Sequence, residues 1–353
     1  MSVNPRDLFC LIVLVCISAS SAVSVAGQTE YPPKTPKPPK IKKDYFPSPG
    51  AISPGFFNRG GETVERSMIV DPNVALKLCV ANGDLQIHGS HRNEVRVFVR
   101  NGRNFHFQPR EKSRETGKVN WLEVRTVVEG RPGPAADCLA GEKIEIDVPK
   151  TASLTLSGGD VTTSIDSLRK VYLRVRAGAV TLRNVTGGID AQANRGEMIV
   201  ENASGPITVV GFSGNVIIAD VKAGQVGDLL SARTNAGAIT LQRVEHREIQ
   251  ATSSSGQILF DGKLLLGGIY NFRTSTGSIN LRIPTISSCV LTATYGKGTF
   301  TTDIVHKIIT ENKTAQANVI VAKIGTGGST VNLTAANGSI SIRKAREESP
   351  RIP

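Results

Sequence analysis

The chain has 353 residues, 39% hydrophobic and 20% charged, the balance of a soluble protein with a core rather than of a disordered or multi-span membrane chain. Aromatic residues make up only 5% and glycines number 35, which favours many short, closely stacked strands over a thick globular interior. The net charge of +12 points to an anionic polymer, such as lipopolysaccharide, teichoic acid or an acidic polysaccharide, or else to a solvated surface with no partner. A nucleic-acid partner is set aside, because no basic stripe is interleaved with aromatics that would stack on bases.

Residues 1–26 read as a signal peptide. Arg6 precedes the apolar run "LFCLIVLVCI" (8–17), small residues follow in "SASSAVSVAG", and Ser24-Val25-Ala26 suits a signal peptidase cutting after Ala26. Ten apolar residues are too few to cross a hydrocarbon core of ~30 Å; the alternative is an uncleaved N-terminal anchor. No other segment offers a transmembrane span, so the expected location is exported: periplasm, cell surface or extracellular space. Residues 27–62 hold eight of the eighteen prolines, in "PPKTPKPP" and "FPSPGAISPG", and five lysines in 31–43. Such a Pro/Lys-rich linker is expected to be an extended polyproline II spacer.

Residues 63–150 alternate apolar and polar side chains in "VALKLCVANGDLQIHG", "EVRVFVRNG", "NWLEVRTVVEG" and "EKIEIDVP", the mark of strands. This part is expected to continue or cap the more regular region C-terminal to it. From residue 151 to 345 a repeat takes over. Aligned on glycine it reads SGGDVTT (Gly159), RAGAVTL (Gly178), NRGEMIV (Gly196), FSGNVII (Gly214), NAGAITL (Gly237), SSGQILF (Gly256), STGSINL (Gly277), GKGTFTT (Gly298) and ANGSISI (Gly338). The intervals are 19, 18, 18, 23, 19, 21, 21 and 40 residues. The last reads as two periods, with one repeat near 315–323 that has lost its glycine. Residues 346–353 are expected to be a disordered tail.

A period of about twenty residues is the signature of a solenoid. One such turn buries two or three aliphatics at ~1.5–3 kcal/mol each, less than the ~1–2 kcal/mol per residue needed to order its backbone. Only stacked turns, which bury each other's faces and share backbone hydrogen bonds, are stable. The predicted fold is therefore all-β: a parallel β-helix or β-solenoid with coils of about 20 residues, preceded by a strand-rich N-terminal cap. Glycine marks the corner, where positive φ or close approach of the next coil excludes a side chain.

"ANGDLQIHG…NEVRVFVR", "IEIDVPKTASLTLSGGDVTTS", "GGIYNFRTSTGSINLRIP" and "GGSTVNLTAANGSISIRK" together resemble a bacterial exported β-helix family of unknown function, commonly labelled "putative adhesin". The resemblance covers about 75–345 and implies the β-helix fold. It brings no catalytic motif, and the chain departs from the family in its Pro/Lys spacer and in the cysteines at 79 and 138.

Residues suited to chemistry are few. Cys10 and Cys16 leave with the signal, and Cys79, Cys138 and Cys289 remain. An oxidising compartment permits a Cys79–Cys138 disulfide, both falling in the N-terminal half of the folded region, with Cys289 left over; three small buried hydrophobes is the alternative. His88 and His91 form an H-x-x-H without nearby cysteines or clustered carboxylates, so no metal site is assigned. Asp160 in "SGGD" has no counterparts in later coils, and "GTGGST" (325–330) lacks the lysine of a phosphate loop. The sequons at Asn184, Asn202, Asn312, Asn332 and Asn337 read as by-products of Asn- and Thr-rich turns. A polysaccharide-active β-helix enzyme, a lyase or hydrolase, would need acids recurring at one repeat position. The position after the aligned glycine carries them only at Asp160 and Glu197. Neither catalytic residue nor cofactor is expected, and the favoured function is a non-catalytic adhesin-like or scaffold protein of the cell envelope.

Overall fold

The computed structural model describes residues 63–126, 138–314 and 317–345, all within the compact unit Phe57–Pro353. The segments expected to be signal peptide (1–26), linker (27–62) and tail (346–353) lie outside the described residues. Those described form 24 strands and no helix. One coil shows the design. Strand Lys170–Ala177 turns Val171, Leu173 and Val175 inward and Tyr172, Arg174 and Arg176 outward. Gly178 makes a corner at φ 121°. Strand Val180–Arg183 then buries Val180 and Leu182, and Asn184 at φ 55° makes a second corner.

Stacking such coils produces two ladders of parallel strands. The first runs through Ser153–Asp166 (its 153–160 part), Lys170–Ala177, Ile189–Arg195, Ile207–Ser213, Leu229–Ala236, Glu248–Ser255 and Ile269–Thr276. The second runs through the post-corner strands Val180–Arg183, Met198–Glu201, Val216–Lys222, Ile239–Glu245, Ile258–Asp261 and Ile279–Ile283. Between them the core is built in rows. Val180, Met198, Val216, Ile239, Ile258 and Ile279 stand above one another, all fully buried. Three of the aromatics cluster in this core: the Phe260 ring lies 5.9 Å from that of Tyr270 and 5.4 Å from that of Phe272. The Tyr270 hydroxyl accepts the Leu265 N–H at 2.6 Å, which satisfies its buried polar end.

The glycines form a column because each corner presses on the one before. A Cβ on Gly277 would overlap the carbonyl of Gly256, and the same holds down the stack for Gly256 on Gly237 and Gly237 on Gly214. The small polar residue three places earlier has a matching task. Thr234 donates to the Gly214 carbonyl at 3.2 Å, Ser253 to that of Gly237 at 3.0 Å, and Thr274 to that of Gly256 at 2.9 Å. These hydroxyls are buried, and the bond removes the cost of burying them. Gly159 is not in this column. Asp160 pairs with Ala177, so Val161 stands under Gly178, and the 19-residue first interval is a misalignment by two.

The 40-residue interval is not two periods with a lost glycine. Lys307–Lys313 and Asn318–Ile324 form an antiparallel pair that caps strand Cys289–Lys297. The chain then returns, and Thr330–Asn337 inserts between Ile269–Thr276 and Cys289–Lys297, parallel to both. Ile340–Lys344 does the same in the second ladder. The last coil in sequence is thus the penultimate one in space. The other end is built likewise. Part of Val64–Ser90 is sandwiched between Val119–Thr126 and Leu139–Pro149 on one side and Ser153–Asp166 on the other. Glu94–Arg100 and Phe105–Lys112 close that end as antiparallel strands. At the far end the outermost strand carries Lys307 and Lys313 and a register shift between Ile308 and Thr310, both devices that discourage further edge pairing.

Cys79 and Cys138 are joined by a disulfide across a separation of 59 residues, with Cα atoms 4.6 Å apart. Closing a loop of that length is worth on the order of 4 kcal/mol in the chain-entropy treatment. Reduction should therefore lower the thermal midpoint clearly, with Cys79→Ser reproducing the reduced value. Cys289 is free and buried, and burial pushes its thiol up to about 11. It should label only on unfolding.

Beside that end Glu123 is buried among three cations: Lys77 Nζ at 3.2 Å, Arg110 Nη2 at 2.8 Å and Arg125 Nε at 3.4 Å. Burial by itself would raise its pKa, but the hydrogen bonds from Arg110, Lys77 and Arg125 outweigh it and hold the carboxyl at about 2. A carboxyl depressed in the folded state stabilises fully above its unfolded value and loses that contribution as pH falls through the folded one. Wild type should lose stability between pH 4.5 and 2, and Glu123→Gln, weaker at neutral pH, should lose less over that window in urea titrations.

Candidate functional site

The outward face of the first ladder is an extended regular surface, and its rows are set by strand register. One row reads Thr208, Ser231, Gln250, Asn271, Asn332 and Thr292. The next reads Val210, Arg233, Thr252, Arg273, Thr334 and Thr294, in the same order of coils. The row beside the glycine corner reads Ser213, Ala236, Ser255, Thr276, Asn337 and Lys297. Over these six coils no carboxylate occupies any of the three rows. Hydroxyls and amides fill them because outward strand positions favour β-branched and polar residues, and neighbours bond along the stack, as Asn332 Nδ2 does to Asn271 Oδ1 at 2.9 Å.

The earlier coils differ. There the outward acids are each held by an arginine: Asp190 accepts from Arg174 Nη1 at 2.9 Å, and Asp160 pairs with Arg176. Asp160, singled out in the sequence, is therefore one partner of an exposed ion pair. By contrast Arg233 and Arg273 are exposed, and their side chains have neither hydrogen bond nor ion pair among the described residues. The nearest acid on this face, Glu248 on the strand between them, accepts instead from Gln250 Nε2 at 3.3 Å.

The remaining candidates fall elsewhere. His88 lies opposite Asp147 and Asp166 in the strand register, and the His91 ring Nε2 lies 3.0 Å from Lys150 Nζ. Among the described residues no group of three or more His, Cys, Asp or Glu is placed to hold a metal. The 325–330 stretch is a corner loop in which the N–H groups of Gly327 and Gly328 donate to Ser288 Oγ at 2.7 and 2.9 Å. Asn184 and Asn202 occupy left-handed corners, a conformation asparagine tolerates well. Their side chains form a short ladder, Asn202 to Asn184 to Asp166. His246, which no sequence pattern marks, is fully buried, with Nε2 3.0 Å from the Gly205 carbonyl oxygen. Burial lowers its pKa, and it serves the packing of a corner.

A groove of about 530 Å³ runs across the second corner, lined by the Asp220–Arg243 ion pair, Lys222, Glu245, Lys263 and Pro284. Its charges are of both signs, so it lacks the one-sided character of the outward face.

Fold and face together define an all-β solenoid that presents an extended polar surface. The chain belongs to the Toastrack DUF4097 family, whose model matches residues 84–343. Two crystal structures are similar at low identity. One is a Clostridium sporogenes protein described as a "putative cell adhesion protein", 14% identical over 80% of this chain and 100% of that one, with a TM-score of 0.24. The other is a Parabacteroides distasonis protein described as a "putative lipid binding protein", 15% identical over 81% of this chain and 98% of that one, with a TM-score of 0.26. No curated protein matches the chain significantly.

Proposed function

We propose that this is a non-catalytic, exported protein of the cell envelope or cell surface that binds an anionic polymer along the outward face of its first ladder. The observation that carries the reading is the run of six coils in which three outward rows hold hydroxyls, amides and the unpaired Arg233 and Arg273 but no carboxylate, Glu248 at the start of its strand being the one acid beside them. Each contact on such a flat face is weak, and many add through linkage along a polymer. Export is supported by the ten-residue apolar run and the small residues before Gly27. The Pro/Lys segment would hold the folded part away from its point of attachment, at ~3.1 Å per residue if extended. A glycan-cleaving enzyme would need two free carboxylates facing one another, whereas Asp160 and Asp190 are each neutralised by an arginine.

Retention of the mature protein on an immobilised polyanion tests the reading. Binding should weaken steeply between low and moderate salt, as exposed charges are screened beyond ~8–10 Å. Retention indifferent to salt, or absent altogether, would contradict it. Cell fractionation tests the location separately, and the mature chain in the cytosol would sink that part.

A further inference from the structure

The unpaired cations of the outward face recur on every second coil. Following the strands in their spatial order, Arg195 lies on Ile189–Arg195, Arg233 two coils further on, Arg273 two coils beyond that, and Lys297 two coils beyond again. All four are exposed, and none of their side chains has a hydrogen bond or ion pair among the described residues. The two-coil interval at Lys297 exists only because strand Thr330–Asn337 is inserted before Cys289–Lys297; counted along the sequence it would be one coil. At the usual inter-strand spacing, two coils span about 10 Å.

The strand between Arg273 and Lys297 is neutral and polar. That between Arg195 and Arg233 is neutral, with Thr208, Val210 and Phe212 outward. That between Arg233 and Arg273 is polar, its single acid, Glu248, lying at the start of the strand and accepting from Gln250 Nε2 at 3.3 Å. Arg233 and Arg273 flank Thr252 in a single row, with Gln250 and Ser254 on the same strand to either side. Arg195 and Lys297 stand in the row nearer the glycine corner. Each guanidinium offers a planar fork suited to a carboxylate or sulfate, and the hydroxyls and amides between offer partners for sugar hydroxyls. Phe212, exposed one coil before Arg233, adds an apolar ring of the kind a sugar face can cover.

We infer that this track is a glycan subsite, centred on Arg233 and Arg273, for an extended acidic polysaccharide bearing one anionic group on every second sugar. A disaccharide of an extended glycan advances by roughly 10 Å, about two coils at the inter-strand spacing, so two successive carboxylates meet Arg233 and Arg273 while the intervening sugar lies over Thr252. A polymer with a charge on every sugar would place alternate charges over neutral coils, where no cation meets them. The inference rests on the proposed binding of an anionic polymer and adds its place and its repeat.

The test uses the mature protein with three probes of equal length: hyaluronan oligosaccharides, which carry a carboxylate on alternate sugars, oligogalacturonate, which carries one on every sugar, and neutral dextran oligosaccharides. Calorimetry should show hyaluronan bound best and dextran not at all. Arg233→Gln and Arg273→Gln should each weaken hyaluronan binding about tenfold, the scale of one charge-assisted contact. The double variant Arg343→Gln, Lys344→Gln, which removes two exposed charges from the second ladder, should leave binding unchanged. If that control weakens binding as much as the two arginine variants do, attraction is diffuse, and the subsite is overturned while anion binding stands. Oligogalacturonate bound as tightly as hyaluronan would overturn the spacing. If neither acidic probe binds, the underlying reading fails with the subsite.

Discussion

Replacing Gly277 with valine should destabilise the protein by several kcal/mol, enough to remove much of a typical folding free energy of ~5–15 kcal/mol. Two costs combine. The residue sits at φ 152°, a region that a β-branched residue rarely adopts and that costs ~1–3 kcal/mol in strain. The added Cβ would lie 2.6 Å from the carbonyl carbon of Gly256 and would overlap its oxygen, so two coils must separate. That separation would also break the 2.9 Å bond from Thr274 to the Gly256 carbonyl. Ser278→Val, one residue on, should cost well under half as much, because Ser278 is only partly buried and next to the corner rather than in it. Urea denaturation of both variants checks the pair. Equal losses would place the corner elsewhere.

A chain ending at Gly328 should lose more than its last coil. Residues 330–344 bury Val331, Leu333, Ile340 and Ile342, worth on the order of 6–12 kcal/mol at ~1.5–3 kcal/mol per side chain. In a solenoid stacked in sequence order those residues would cover one neighbour. Here they lie between Ile269–Thr276 and Cys289–Lys297, so their removal leaves Cys289–Lys297 and the antiparallel cap beyond it without a neighbouring coil. Hydrogen exchange should show protection lost throughout 289–302 and 318–324 and weakened in 269–283, with 170–250 still protected. Loss confined to 289–302, with 269–283 unchanged, would mean that the coils stack in sequence order after all.

The repeat was legible because each coil meets the same constraints. From Gly178 onward the corner that touches the previous one is glycine, and a buried position beside that carbonyl admits a small hydroxyl, so "RTNAG", "ATSSSG" and "RTSTG" recur. Periodicity records which face of a strand is buried, and the inward rows follow from it. It does not record the order of coils in space. Thr330–Asn337 carries the same alternation whether it stacks last or next to last, which is why the insertion, the cap at 307–324 and the two-coil recurrence of Arg195, Arg233, Arg273 and Lys297 were invisible. The second corner was hidden for a different reason: Ser167, Asn184, Asn202, Asp220 and Arg243 share a left-handed backbone but no residue type. Asp160 was misplaced because Val161 substitutes for glycine in the column, so the alignment followed the nearest glycine instead of the register.

Binding without turnover is the central claim, and one sample can test both halves of it. The mature protein is incubated to saturation with a long acidic polysaccharide, and both the bound fraction and the length distribution of the polymer are followed over time. The account predicts salt-sensitive binding with polymer length unchanged, even after prolonged incubation. Progressive shortening of the polymer, or unsaturated ends appearing along it, would contradict the account and make the outward face part of an enzyme.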